Sequence, residues 1–268
     1  MRRFPEISVS SVYAIIGFVL NKPAHFGLSH PEIYLSPSSE KQLYVLFYRL
    51  LAGEPLPYLI EKQEFFGIDI KVTPDVLIPR PETELLVEFA LDWLKKKTGR
   101  ILIADVGIGS GCISVALGKH FHKATIIGTD FSNKALHVAK GNINKNSLEN
   151  RISLVQTNLL AGLAARFDCI CANLPYIPTK TLSSLPVKNH EPLRALDGGD
   201  DGLRFIGPLL HQSQKVIKPG GLILMEIEST LSHSVFDFAA IVFPEASIKI
   251  HNDLSGLPRL VQIQLGGE

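Results

Sequence analysis

Two short segments of this sequence hold residue types that can do chemistry. The first is Asp105-Val106-Gly107-Ile108-Gly109-Ser110-Gly111. Glycines at 107, 109 and 111 let the backbone turn tightly and approach a ligand that side chains would keep away. A loop under a dinucleotide pyrophosphate has the spacing Gly-x-Gly-x-x-Gly. Here the spacing is Gly-x-Gly-x-Gly, with an acid two residues ahead. Asp105 can complement a cationic amino-acid moiety, which S-adenosylmethionine has and a nicotinamide dinucleotide lacks. Asp130 closes the next apolar run, a position from which a carboxylate reaches both hydroxyls of a ribose. A glycine loop alone is weak, and an acid at a strand end is often a helix cap. In this order they point to a nucleoside cofactor.

The second segment is Asn173-Leu174-Pro175-Tyr176. It follows an apolar run, and in an open α/β sheet ligands sit beyond the carboxyl ends of the strands. An amide or exocyclic amine is a poor nucleophile because its lone pair is delocalised into the neighbouring π system. A site that alkylates it should accept hydrogen bonds from its N–H groups and hold the nitrogen in place. The side-chain oxygen of Asn173 and the backbone carbonyl of Leu174 can supply those acceptors, and Tyr176 can stack on the planar group.

The pattern around these segments says what must position them. From Glu82 onward helices alternate with apolar strands. A helix face of Leu85, Leu86, Phe89, Ala90 and Trp93 ends in the basic run Lys95–Lys97. Strands are predicted at 101–105, 124–130, 152–156, 167–173, 220–227, 247–251 and 259–265. Helices are predicted from the glycine loop to about Phe121 and over 133–146, and another carries Leu203, Ile206, Leu210 and Ile217 in register. Such alternation gives right-handed crossovers, so the expected fold is α/β, Rossmann-like, with a mainly parallel seven-stranded sheet.

The preceding region differs. Helices are predicted around 11–20 and 39–51, the second with Leu43, Leu46, Phe47 and Leu50 at helical spacing and a start at Pro37-Ser38-Ser39-Glu40. A hairpin follows over Glu64–Val72 with its turn at Gly67 or Asp69, and Thr73–Pro81, with three prolines, reads as a linker. The expected division is a small helical domain with a β-hairpin at 1–72 and the larger domain at 73–268. Arg2 and Arg3 ahead of the apolar run Val12–Leu20 superficially resemble a signal peptide. Gly17 interrupts that run, Glu6 sits in the basic part, and nine residues are too few to span a bilayer. A core helix and a cytoplasmic protein are expected, with no membrane partner.

Net charge is +1, whereas a protein that grips long nucleic acid by its phosphates carries a stronger basic excess. The balance favours a small-molecule or protein partner and no stable nucleic acid. Nine histidines are scattered and the three cysteines lack zinc spacing, so no metal is expected. Cys169 and Cys171 are expected as small buried residues on opposite faces of a strand.

These residues bring a resemblance into view. The sequence resembles the HemK family, methyltransferases that modify the glutamine side-chain nitrogen of class 1 peptide chain release factors. Its most specific part is Phe65-Phe66-Gly67, Val72-Thr73-Pro74 and Leu77-Ile78-Pro79-Arg80-Pro81-Glu82-Thr83-Glu84. Ala52–Pro55, the glycine loop, Glu191-Pro192, Ala195–Gly199, Asp201–Leu203, Lys218–Gly221 and Glu226-Ile227 are similar too. The resemblance implies a class I methyltransferase domain that uses S-adenosylmethionine and releases S-adenosylhomocysteine. By matching position, Gly107, Ile108, Gly109, Ser110, Gly111 and Asp130 bind that donor, and Asn173–Tyr176 hold the glutamine, with Asn173 bordering the donor as well. The N-terminal helical domain is implied to contact the release factor, and the enzyme is expected to be a monomer.

Three positions depart from the family pattern. Leu174 replaces the first proline of Asn-Pro-Pro-Tyr but keeps the carbonyl, and Pro175 confines it to extended conformations. Asn158, followed by Leu159, stands where the family has an acid near the adenine amino group, and it is the weaker acceptor. The N-terminal region reads as shorter than usual, lacking a first helix. The alternatives are an amino-methyltransferase acting on a flipped DNA or RNA base, or a binding protein of this fold without chemistry.

Overall fold

Seven strands form one sheet: β3 (Ile101–Val106), β4 (Ala124–Asp130), β5 (Ile152–Gln156), β6 (Phe167–Ala172), β7 (Ile217–Glu226), β8 (Ser247–Asn252) and β9 (Pro258–Gln264), in the order β5-β4-β3-β6-β7-β9-β8. This is a computed structural model, and it describes residues 7–267; Arg2, Arg3 and Glu6 lie outside the described residues. The first five strands of the sheet run parallel, while β9 is antiparallel to both β7 and β8. Strand order reverses at β3, which pairs β4 on one side and β6 on the other. The carboxyl ends of β3 and β6 therefore flank the crevice where α/β sheets bind ligands. The two segments singled out in the sequence follow those two ends.

Helices cover both faces. Ile101 and Ile103 of β3 face a core shared with α5 (Glu84–Leu94), α6 (Cys112–His120) and α7 (Asn133–Lys145), while Ala104 and Val106 face the other core, shared with α9 (Ile206–Val216) and α10 (Ser232–Val242). The alternation follows from the two-residue period of a strand. It also corrects the placing of the cysteines. Residues i and i+2 share a face, so Cys169 and Cys171 lie on the same side of β6, with Sγ atoms 3.8 Å apart. The helix expected to carry Leu203 through Ile217 is shorter at both ends. It spans Ile206–Val216, and Ile217 already opens β7.

Ahead of the sheet come α1 (Val9–Leu20), α2 (Phe26–Ser29), α3 (Pro37–Leu51) and α4 (Leu56–Leu59). Ser8 and Ser36 cap α1 and α3 by accepting from Ser11 and Ser39 backbone N–H groups. Ile15, Leu43, Leu46 and Leu59 make a separate small core. The hairpin of β1 (Lys62–Phe65) and β2 (Ile68–Lys71) turns at Phe66-Gly67, both at positive φ, as a two-residue hairpin loop requires. Its apolar residues Phe65, Ile68 and Ile70 join the main core. Asn142 of α7 clamps it, accepting from Lys71 N and donating to Lys71 O.

The stretch Thr73–Pro81 is not a slack linker. Val76 and Ile78 are buried in the main core, and the Tyr58 hydroxyl donates to the Val76 carbonyl at 2.6 Å. Pro74 sits in a turn closed by Val76 N donating to the Thr73 carbonyl, so the stretch is an ordered strap rather than a loose chain. No described helix is long and apolar enough to cross a membrane.

Candidate active site

A cavity of about 460 Å³ opens over the carboxyl ends of β3, β4 and β6, within the usual range for a small-molecule site. Of the residues picked from the sequence, Gly107, Ile108, Gly109, Ser110, Asp130, Asn158, Leu159, Asn173, Leu174 and Pro175 line it. Asp105, Gly111 and Tyr176 do not and stand behind the wall. The strap closes one side with Val76, Pro79 and Arg80, and Pro192, Arg194 and Phe205 close another.

The glycine loop runs from β3 into α6. Gly107 has φ +74°, and a Cβ there would lie 2.8 Å from Leu174 Cδ2. Positive φ and close approach together require glycine. Asp130 fixes the loop from β4: its Oδ2 accepts from Gly109 N at 3.0 Å and its Oδ1 from Ser132 N at 2.9 Å. Burial raises the Asp130 carboxyl above its ordinary value, and the backbone N–H groups pull it back. Each oxygen keeps a further lone pair that a diol could engage.

Asp105 is only 1% exposed. Its Oδ2 accepts from Ser114 N at 3.1 Å and Ser114 Oγ at 2.5 Å, tying β3 to the first turn of α6. Its Oδ1 is buried and has no partner among the described residues. Burial pushes this carboxyl up to about 7, against the two hydrogen bonds from Ser114. The odd-numbered face of β3 explains why Asp105 points under α6 rather than into the cavity.

Asn173 sits where β6 leaves the sheet. Its Nδ2 donates to Thr83 Oγ1 at 3.0 Å and to Glu226 Oε2 at 2.9 Å. Its Oδ1 has no hydrogen-bond partner among the described residues, and neither does the carbonyl of Leu174. Tyr176 does not line the cavity, and it donates its hydroxyl to Glu226 Oε1 at 3.2 Å. Burial and the neighbouring Glu226 raise that phenol well above its usual range. Behind it, Gly198 and Gly202 lie so close to the Tyr176 backbone that a Cβ on either would come within 2.7 Å of it.

A family profile described as "Methyltransferase small domain" matches residues 82–186. A release factor glutamine methyltransferase of Moorella thermoacetica is 40% identical over 234 residues, covering 87% of this chain and 82% of its own. One from Coxiella burnetii is 36% identical over 249 residues, 92% of this chain and 88% of its own. The chain belongs to the release factor glutamine methyltransferase family. It is a methyltransferase. A methyltransferase of Pyrococcus furiosus with a solved structure shares the fold, with a TM-score of 0.54 at 17% identity over 85% of this chain and 99% of its own.

Family membership and geometry together explain Pro79–Glu84, the segment that carries the resemblance most specifically. Arg80 pairs with the buried Glu191, whose other oxygen accepts from Ile78 N at 3.2 Å. Thr83 donates to Glu226 at 2.6 Å, and Glu84 accepts from Phe66 N at 2.7 Å in the hairpin turn. One short segment thus joins strap, acceptor site and hairpin. Thr83, Glu191 and Glu226 were visible in the sequence only as matched letters without a role.

The site also suits the kind of cofactor that the glycine loop implies. A Cβ on Gly109 would meet nothing closer than the Gly107 carbonyl at 3.8 Å, so the loop presents bare backbone to the cavity. Asp105 Oδ1, buried and without a partner among the described residues, lies two positions ahead of that loop. Among the described residues no cluster of His, Cys, Asp or Glu could hold a metal ion.

Proposed function

We propose that this chain transfers a methyl group from S-adenosylmethionine to the side-chain amide nitrogen of the glutamine in the Gly-Gly-Gln motif of class 1 peptide chain release factors, releasing S-adenosylhomocysteine. The observation that carries the reading is Asn173. Its amide hydrogens are engaged by Thr83 and Glu226, so the group left for a cavity ligand is the acceptor Oδ1. With the free Leu174 carbonyl beside it, the site offers two acceptors to an incoming –NH2 group. A primary amide has two such hydrogens in one plane. Relatives named for release factor glutamine methylation support this substrate.

When bound, S-adenosylmethionine supplies an electrophilic methyl group on a sulfonium centre. The cavity residues that would hold it are the backbone of Gly107–Ser110, the Asp130 carboxylate, which would accept from the ribose hydroxyls, and Asn158 with Leu159, which would receive the adenine. Asn173 Oδ1 and the Leu174 carbonyl fix the amide nitrogen, and fixing two reactants accounts for a large share of such a rate enhancement. No strong base is needed in the cavity, because the nitrogen becomes acidic once alkylated and its proton passes to water. Residues 1–72 form the module that meets the release factor and 73–268 the methyltransferase domain, working as a monomer in the cytoplasm without stable nucleic acid.

The test is incubation with methyl-labelled S-adenosylmethionine and a purified release factor, beside the same factor with its motif glutamine replaced. Label should enter the first protein alone. Label in both, or in DNA but neither protein, would sink the reading. Asn173→Ala should abolish transfer and leave donor binding largely intact.

A further inference from the structure

We infer that Glu226 is a positioning residue that makes the site select an N–H donor, by fixing the Asn173 amide with its oxygen towards the cavity. This rests on the proposed acceptor site and adds what sets its polarity. A side-chain amide is nearly symmetric in shape, so either its oxygen or its nitrogen could face the substrate. Facing inward, the oxygen welcomes an amide –NH2. The nitrogen would instead welcome a carboxylate or carbonyl.

The sheet brings the deciding group into place. Ala172 of β6 pairs with Met225 of β7, so the next positions lie side by side, Asn173 just past the end of β6 and Glu226 as the last residue of β7, where it still pairs with Leu260 of β9. An ionised carboxylate is acceptor-only. Glu226 Oε2 accepts from Asn173 Nδ2 at 2.9 Å and from Thr83 Oγ1 at 2.6 Å, and Oε1 accepts from Tyr176 at 3.2 Å. Because Thr83 gives its only hydroxyl hydrogen to Glu226, its oxygen is left as an acceptor, and Asn173 Nδ2 fills it at 3.0 Å. Flipping the amide would set Oδ1 against both a carboxylate oxygen and a hydroxyl lone pair. Glu226 is 3% exposed, so water does not screen that repulsion. Burial raises the Glu226 carboxyl, while the hydrogen bonds from Thr83 and Tyr176 and the charge of Arg259 oppose the rise.

Glu226→Gln tests this directly. The variant has the same shape but carries one donor and one acceptor, so the network can reverse and Asn173 can face either way. Donor affinity and melting temperature should stay at wild-type values. The single-turnover rate should fall about tenfold, the size of one net hydrogen-bond preference. Binding of the release factor relative to its glutamine-to-glutamate form should lose about tenfold in discrimination, because a freed Nδ2 can donate to the carboxylate. A purely structural role would not move that ratio. Glu226→Leu, which removes every acceptor, should lose about 10²-fold in rate; should it not fold, the Gln variant decides alone. A Gln variant with wild-type rate and wild-type discrimination overturns the inference, as does loss of rate only in step with donor affinity. Failure of the wild-type chain to label the release factor overturns the substrate reading and this inference with it.

Discussion

Gly107 and Leu174 meet across the switch point of the sheet, so closely that a methyl group on Gly107 would sit 2.8 Å from Leu174 Cδ2. The donor loop after β3 and the acceptor segment after β6 are therefore one packed unit. Gly107→Ala should disturb both. Its φ of +74° strains any side chain, by about 1–2 kcal/mol. The Leu174 side chain must also turn aside, or the loop must shift away from the acceptor segment. A thermal melt should show a modest loss of stability. Single-turnover transfer should fall by about 10²-fold, as expected for displaced reactants. Transfer at the wild-type rate would show that loop and acceptor are independent.

The buried Asp105 makes stability depend on pH. Its carboxyl stands at about 7 in the fold against 3.8 ordinarily, because burial disfavours its charge. The folded chain then holds a proton that the unfolded chain has released. Stability from this group is fully present below pH 3.8 and is lost as pH rises through about 7. Asp105→Asn removes this titration. The melting temperature of the wild type should therefore fall, relative to the variant, between about pH 5 and about pH 8. A gap that stays constant over that range would contradict it. S-adenosylmethionine should narrow the gap at the upper pH, since its cationic amino group favours the ionised carboxylate.

What the sequence disclosed follows the range of the interactions. The glycine loop and Asp130 were readable because a tight turn and a strand end leave local spacing. Asn173, Leu174 and Pro175, which line the cavity, were readable for the same reason, whereas Tyr176 does not line it. The groups that orient Asn173 were not, since Thr83 lies 90 positions from it and Glu226 lies 53 positions away. No local pattern encodes a partner on another strand. Three prolines made 73–81 look like a linker, yet Val76 and Ile78 are buried and hold it as a wall. Asp105 has the right type and spacing for a cofactor contact, but strand parity turns it beneath α6.

That wall depends on Glu191, whose side chain is 4% exposed and accepts from both Arg80 and Ile78 N. Glu191→Ala leaves a guanidinium and a buried N–H without partners. Arg80 is 35% exposed, so water partly compensates, and a loss of about 2 kcal/mol is expected. Glu191→Gln keeps an acceptor for Ile78 and should lose about half as much. Urea midpoints would check the order. Equal losses would mean that the charge, not the backbone contact, holds the strap.

Cys169 and Cys171 are fully buried on one face of β6, their Sγ atoms 3.8 Å apart. The Sγ–Sγ hydrogen bond with Cys169, which the Cys171 thiol would lose as a donor on ionising, and burial hold Cys171 well above its ordinary value, and burial pushes Cys112 up to about 12. Only the thiolate attacks a disulfide reagent. At about pH 8, therefore, none of the three thiols should react with an aromatic disulfide while the chain is folded, and all three should react in denaturant. Cys112 lines the cavity, so any slow reaction of the native chain should fall there and be suppressed by S-adenosylmethionine. Peptide mapping after partial labelling identifies the site. Early label on Cys169 or Cys171 would mean that the β6 region opens far more readily than its packing implies.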